Sequence, residues 1–167
     1  HWLSPSNPVP SSSMEPKSRM PWTRRKSVHL ADVNFWLALT FEAHSHHIRA
    51  RNWFEQVPVD SCGFCRLAQN GFLRLATNPA VFGDEAVTMA EAWGLYDAIL
   101  DDDRVIYWDE PPGLESIWKE FTSRRSYSTN LWSDAHLAAF AMASGIGIVS
   151  FDNGFQQFSG LNLTTPA

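Results

Sequence analysis

The sequence has few cysteines, few basic residues after its first segment, and no long apolar run. Two cysteines, Cys62 and Cys65, stand among 167 residues. That is too few for a disulfide framework, so a packed core must stabilise the domain, and a reducing, cytoplasmic compartment is expected. No apolar stretch approaches the roughly 20 residues of a membrane span, which excludes a spanning helix and makes a membrane partner unexpected. The first 20 residues hold four prolines and lack the apolar centre of a secretory signal. Beyond residue 27 the chain carries 8 basic and 17 acidic side chains, a net charge of 8 − 17 = −9. A body that acidic does not attract nucleic acid in bulk. To handle a polyanion it needs cations in the site or a local basic strip.

What is present suits one packed domain: 44% of residues are hydrophobic and 13% aromatic. Residues 1–27 read as a disordered or non-native extension, with Met14 and Met20 as candidate starts and Arg24, Arg25 and Lys26 as a basic lead-in. Residues 28–167 read as the domain. The apolar pattern predicts strands at 28–33, 57–62, 104–108, 146–151 and 161–165. Helices are predicted from about 34 to 40, 46 to 56, 64 to 76, 88 to 100, 113 to 121 and 130 to 144, with a short one at 153–158. Thr88 and Glu91 form a capping-box pattern, and Gly145 suits a helix C-cap. Gly71 lies inside a helical pattern and weakens it. Strands alternating with helices, some apolar throughout, predict a central, mainly parallel sheet between helical layers. Ligands bind such sheets at the edge formed by the strands' C-terminal ends.

Three acids converge on that edge. Asp32 follows the first strand, Asp152 follows the fourth, and Asp134 begins the helix leading into the fourth. Each has a plainer reading: Asp32 as a helix cap, Asp134 as a first-turn carboxylate, Asp152 as a turn residue. Together they repel unless something neutralises them. A hard divalent cation such as Mg²⁺ would do so and leave positions for phosphate oxygens, the arrangement for metal-assisted phosphodiester hydrolysis.

Four blocks resemble one family. They are LADVNFWLAL at 30–39, FCRLAQNGFLRL at 64–75 with TNP at 77–79, LWSDAHLAAFA at 131–141, and IVSFDNGF at 148–155. In this order and spacing they resemble PIN-domain ribonucleases, specifically the VapC-type toxins of type II toxin–antitoxin systems. The resemblance implies a three-layer α/β/α fold and an endoribonuclease using Mg²⁺, or Mn²⁺, to hydrolyse RNA. It also implies neutralisation by a cognate antitoxin and homodimer assembly. It assigns Asp32, Asp134 and Asp152 as catalytic metal ligands, with Asn34 and Ser133 as polar support. Where many members carry a glutamate on the third helix, this chain has Gln69, which by the resemblance faces the acidic edge as a supporting residue and keeps an oxygen but no charge; a glutamate there would add a fourth carboxylate, tighten metal binding and lower metal-free stability. Glu42 would substitute only if the first helix brought it back to the edge. The competing reading is a non-catalytic PIN-like module that binds RNA or protein.

Other constellations point elsewhere. Cys62 and Cys65 form a C-x-x-C ahead of a helix, the context of a thiol oxidoreductase, though no suitably placed Thr-Pro segment follows. With His44, His46 and His47 they also suggest Zn²⁺; solvated or helix-start histidines are the plainer reading. His136 reads as packing. Asp101, Asp102 and Asp103 read as a solvated turn. Arg66, Arg74, Arg124 and Arg125 are the local cations available for phosphate, or simply a solvated face. The eight tryptophans are expected mostly in the core, with an exposed aromatic cluster as a candidate antitoxin groove.

Overall fold

A computed structural model describes residues 28–167, so the expectation for residues 1–27 lies outside the described residues. Five strands form one sheet in the order β3-β2-β1-β4-β5. They are β1 (His29–Ala31), β2 (Cys62–Phe64), β3 (Val105–Tyr107), β4 (Gly147–Val149) and β5 (Leu163–Thr164), and every pairing is parallel. Parallel pairing needs crossovers, and helices supply them. They are α1 (Val33–Thr40), α2 (His47–Phe54), α3 (Arg66–Ala76), α4 (Pro79–Phe82), α5 (Met89–Leu100), α6 (Leu114–Thr122) and α7 (Leu131–Ser144). One layer is the chain of packed helices α1–α5; the other is the α6–α7 pair, with α7 against β1 and β4. This is the expected three-layer α/β/α arrangement. No helix among the described residues is long and apolar enough to cross a membrane.

The sheet is buried on both faces, and so its strands are apolar rather than alternating. Leu30, Ala31, Phe64, Val105, Ile148 and Val149 are sealed from solvent. Trp36 of α1 stacks on Phe64 with ring centres 4.1 Å apart, pinning the helix to the second strand. Gly71 packs where a Cβ would lie 2.6 Å from Val33 Cγ2, so α3 meets the start of α1 at a spot that admits no side chain.

One strand expectation fails. Residues 57–61 are not strand: they form a turn, with Asp60 at φ 54°. The amides of both Ser61 and Cys62 reach the Arg104 carbonyl, and strand register with β3 starts only at Cys62. The second strand therefore occupies Cys62–Phe64, and α3 starts at Arg66 rather than Phe64. The other strands sit where expected but are shorter. Asp102 closes its turn by pairing with Arg104, which also lies over the Phe54 ring.

Candidate functional site

Strand order fixes where the site falls. From β1 the chain builds outward through β2 and β3, then crosses to β4 on the other side of β1. The crevice between the C-terminal ends of β1 and β4 is the switch point of such a sheet. Asp32 leaves β1 there, its amide bonded to the Val149 carbonyl of β4 at 3.1 Å. Ser150 and Asp152 leave β4 beside it.

Asp32 is 7% exposed. Its Oδ1 accepts the Val33 amide at 2.7 Å and so caps α1. Its Oδ2 accepts the Ser150 hydroxyl at 2.8 Å. Ser150 is fully buried, and its Oγ accepts the Asp152 amide at 2.9 Å. Asp152 Oδ1 in turn accepts the Gly154 amide at 2.7 Å, capping the 3₁₀ segment Asn153–Gln157. The plainer readings of Asp32 and Asp152 as caps thus coexist with a shared site.

Burial pushes the Asp32 carboxyl up to about 6. The Ser150 and Val33 bonds oppose that, and the charges of Asp134 and Asp152 add to it. Asp134, half-buried in the first turn of α7, is also raised, first by burial and then by Asp152. Asp32 therefore lies in the field of both other acids and Asp134 in that of Asp152, and no arginine or lysine is among the influences on either raised group.

The donor set suits a hard cation, with limits. All donors are carboxylate oxygens, and each Asp32 oxygen has one bond and spare acceptor capacity. Yet no three His, Cys, Asp or Glu side chains among the described residues stand close enough to clasp a metal ion. Mg²⁺ takes only one or two protein carboxylates and keeps several of its own waters, so it does not require such a group.

The remaining candidates scatter. Asn34 is exposed in the first turn of α1 and lines a cleft of about 400 Å³ with Leu37, His44 and Phe82. Ser133 is exposed beside Asp134. Gln69 is buried, but its Oε1 accepts from Arg66 and its side chain bonds the Tyr96 hydroxyl. Glu42 is exposed and is not among the groups acting on Asp32. Arg66 lies 5.1 Å over the Tyr107 ring. Arg74, Arg124 and Arg125 are exposed.

Two alternatives are corrected. Cys62 and Cys65 are free and buried, and burial raises both thiols above the ordinary range. A redox cysteine needs access and a lowered pKa, so the oxidoreductase reading falls. The zinc reading falls with it, since the thiols and histidines form no ligand group among the described residues. His47 instead bonds the Ala38 carbonyl, and His46 stacks on Phe151. His136 packs edge-on against Trp118.

Ser150 is the residue that the sequence reading passed over. Its signal was a hydroxyl placed between an apolar strand and an acid.

Comparisons with known proteins show the family. The model of the PIN domain matches residues 30–161. Ribonuclease VapC41 of Mycobacterium tuberculosis is 42% identical over 139 residues, spanning 80% of this chain and 95% of that protein. Two solved structures share the fold. VapBC2 from Rickettsia felis, bound to a DNA fragment from its promoter, superposes with a TM-score of 0.60 at 11% identity, covering 84% of this chain and 99% of that one. The M. tuberculosis VapC20, described as a sarcin–ricin loop cleaving toxin, gives 0.58 at 22% identity, covering 79% and 95%. The chain belongs to the PIN-domain family, among its VapC-type ribonucleases.

Proposed function

We propose that this protein is an endoribonuclease toxin that hydrolyses RNA with Mg²⁺ or Mn²⁺, held in check by a cognate antitoxin. One observation carries the reading: at the switch-point edge burial, and after it the charges of neighbouring acids distant in sequence, raise Asp32 (beside Asp134 and Asp152) and Asp134 (beside Asp152), with no arginine or lysine to offset either. Like charges are gathered there at a cost, and a cation turns that cost into binding. The ribonuclease relative supports the activity, and the VapBC assembly supports the antitoxin. Homodimer assembly and a cytoplasmic location belong to the same reading.

Asp32, Asp134 and Asp152 would hold the ion directly or through its waters. When bound, it supplies Lewis-acid polarisation of a phosphate and a water of lowered pKa. Ser150 keeps Asp32 oriented and favours its ionised form. Asp152 is fixed twice, through its amide and its carboxylate. The sheet edge thus presents carboxylates whose rotamers are set before substrate arrives.

The test is incubation of a mixed RNA pool with the protein, its Asp134→Asn variant, and each with Mn²⁺ or a chelator. Cleavage by the wild type alone, and only with metal, is expected. RNA left intact by the wild type at saturating Mn²⁺ would replace this reading with the non-catalytic binding module.

A further inference from the structure

The segment between α6 and α7, residues 123–130, reads SRRSYSTN: two arginines, one tyrosine, five small polar residues (three serines, one threonine and one asparagine), and no acid. It is a +2 stretch in a body of −9. Among the described residues the ion pairs engage Arg51, Arg104 and Lys119, and neither Arg124 nor Arg125. The Arg124 guanidinium meets neutral acceptors, the Phe121 carbonyl and Gln157 Oε1. Its positive charge is therefore left uncompensated.

This segment walls a cleft of about 320 Å³, lined by Arg124, Ser126, Tyr127, Thr129 and Trp132 among others. Two aromatic faces meet solvent there. Tyr127 is 103% exposed and Trp132 54%. Trp132 is also fixed. Its carbonyl accepts the Trp118 indole N–H at 3.1 Å, and the two rings meet edge to face at 6.0 Å. An aromatic held in place while half exposed is a platform that pays little entropy on binding.

The cleft is tied to the acidic edge at two points. Trp132 stands two residues before Asp134 in the first turn of α7. Arg124 bonds Gln157 at 2.8 Å, the last residue of the turn that Asp152 caps.

We propose that this cleft is a subsite for an unpaired nucleotide of single-stranded RNA flanking the cleaved bond, its base stacked on Tyr127 and Trp132 and its phosphate held by Arg124, with Arg125, next in the chain and exposed, adding a second positive charge for the strand. The proposal rests on the nuclease reading and names how that site takes its substrate. Exposed rings with interleaved cations are what unpaired nucleic acid recognises: every base has a face to stack, and every link carries a phosphate. Base-paired RNA hides its faces, so the subsite selects against duplex.

The experiment reads binding in the full chain carrying Asp134→Asn, which prevents cleavage. The probe is a short fluorescein-labelled single-stranded RNA, followed by anisotropy, with its duplex as comparison. Tyr127→Ala is expected to raise Kd for the single strand about tenfold, as loss of one stacked base does. Tyr127→Phe, which keeps the ring, restores affinity. Arg125→Ala is expected to lower the slope of log affinity against log salt by about 0.7, one phosphate's share. The duplex binds more weakly and ignores Tyr127→Ala. Tyr127 packs on nothing that its removal would loosen, so an unchanged melting temperature accompanies the loss. A Kd unmoved by Tyr127→Ala and Arg125→Ala overturns the subsite. So does poly-glutamate competing as well as RNA and losing the same affinity in both variants, which would assign the cleft to acidic protein. These arms decide the cleft whether or not the wild type cleaves RNA.

Discussion

The Ser150 hydroxyl donates to Asp32 Oδ2 at 2.8 Å while accepting the Asp152 amide at 2.9 Å. One buried atom thus links the acid after β1 to the backbone carrying the acid after β4. Because the amide occupies one face of the oxygen, the hydroxyl proton is committed to Asp32.

Ser150→Ala removes both bonds at a fully buried position. The Asp152 amide loses its acceptor and Asp32 loses a donor that favours its charged form. We expect a loss of roughly 1–3 kcal/mol in stability, the cost of a stranded buried polar group. The acid limb of the cleavage pH profile should also move to higher pH. Denaturant unfolding and a pH–rate profile measure the two. A stability loss with an unmoved acid limb would confine Ser150 to a structural role.

Asp32 makes stability depend on pH in a direction opposite to that of a salt-bridged carboxylate. Its folded value of about 6 exceeds the ordinary 3.8, so folding favours its protonated form. Stability therefore falls as pH rises from about 4 to about 6 and stays lower above that. Above both values the burden is on the order of 3 kcal/mol. Without metal, Asp32→Asn should melt higher than the wild type near neutral pH, and the gap should close toward about pH 4. Mg²⁺ should raise the wild-type melting temperature by mass action and leave the variant nearly unmoved. Thermal melts across pH, with and without Mg²⁺, decide it. A variant that responds to Mg²⁺ like the wild type would remove Asp32 from the ligand set.

Gly71 offers a test of how the helices hold this edge. A Cβ there would meet Val33 Cγ2 at 2.6 Å, and Val33 is the residue after Asp32. Gly71→Ala gains about 1 kcal/mol of helix propensity. It loses more through overpacking against a β-branched side chain, roughly 1–3 kcal/mol. A net loss of stability with a weaker Mg²⁺-induced melting shift is expected, because α1 and its cap move together. A stabilised variant would show that Val33 yields freely.

These relationships differ in how far the sequence displayed them. Asp32 and Asp152 were legible because each ends an apolar strand run, and parallel sheets place such ends together. The capping box at Thr88 and Glu91 was legible because both partners lie within one turn. The second strand was not, because the apolar residues at 57 and 59 mimic a strand while the register is set by Arg104, far along the chain. Gly71 showed its cost in the sequence but not its reason, which is a contact with another helix. The exposure of Tyr127 and Trp132 could not be read from composition, since four of the six tryptophans among the described residues, Trp36, Trp53, Trp108 and Trp118, do pack against the core.

Gln69 shows the same limit and yields the sharpest test. The sequence reading sets it facing the acids, so that Gln69→Glu would add a fourth carboxylate, tighten Mg²⁺ binding and lower metal-free stability. In the structure its Oε1 accepts from Arg66, one turn earlier on α3, and its side chain bonds the Tyr96 hydroxyl of α5. It is not among the groups that act on Asp32. A glutamate there finds a guanidinium waiting and forms a charge-assisted bond with it. Burial of the new charge offsets part of that gain, so stability should change by no more than about 1 kcal/mol. Its charge, balanced by Arg66, adds little to the field at the acidic edge. Titration of Mn²⁺ followed by thermal shift should therefore give the same midpoint for Gln69→Glu and wild type. A tenfold tighter midpoint together with a lower metal-free melting temperature would mean that the carboxylate leaves Arg66 for the acids, and that position 69 belongs to the metal site after all.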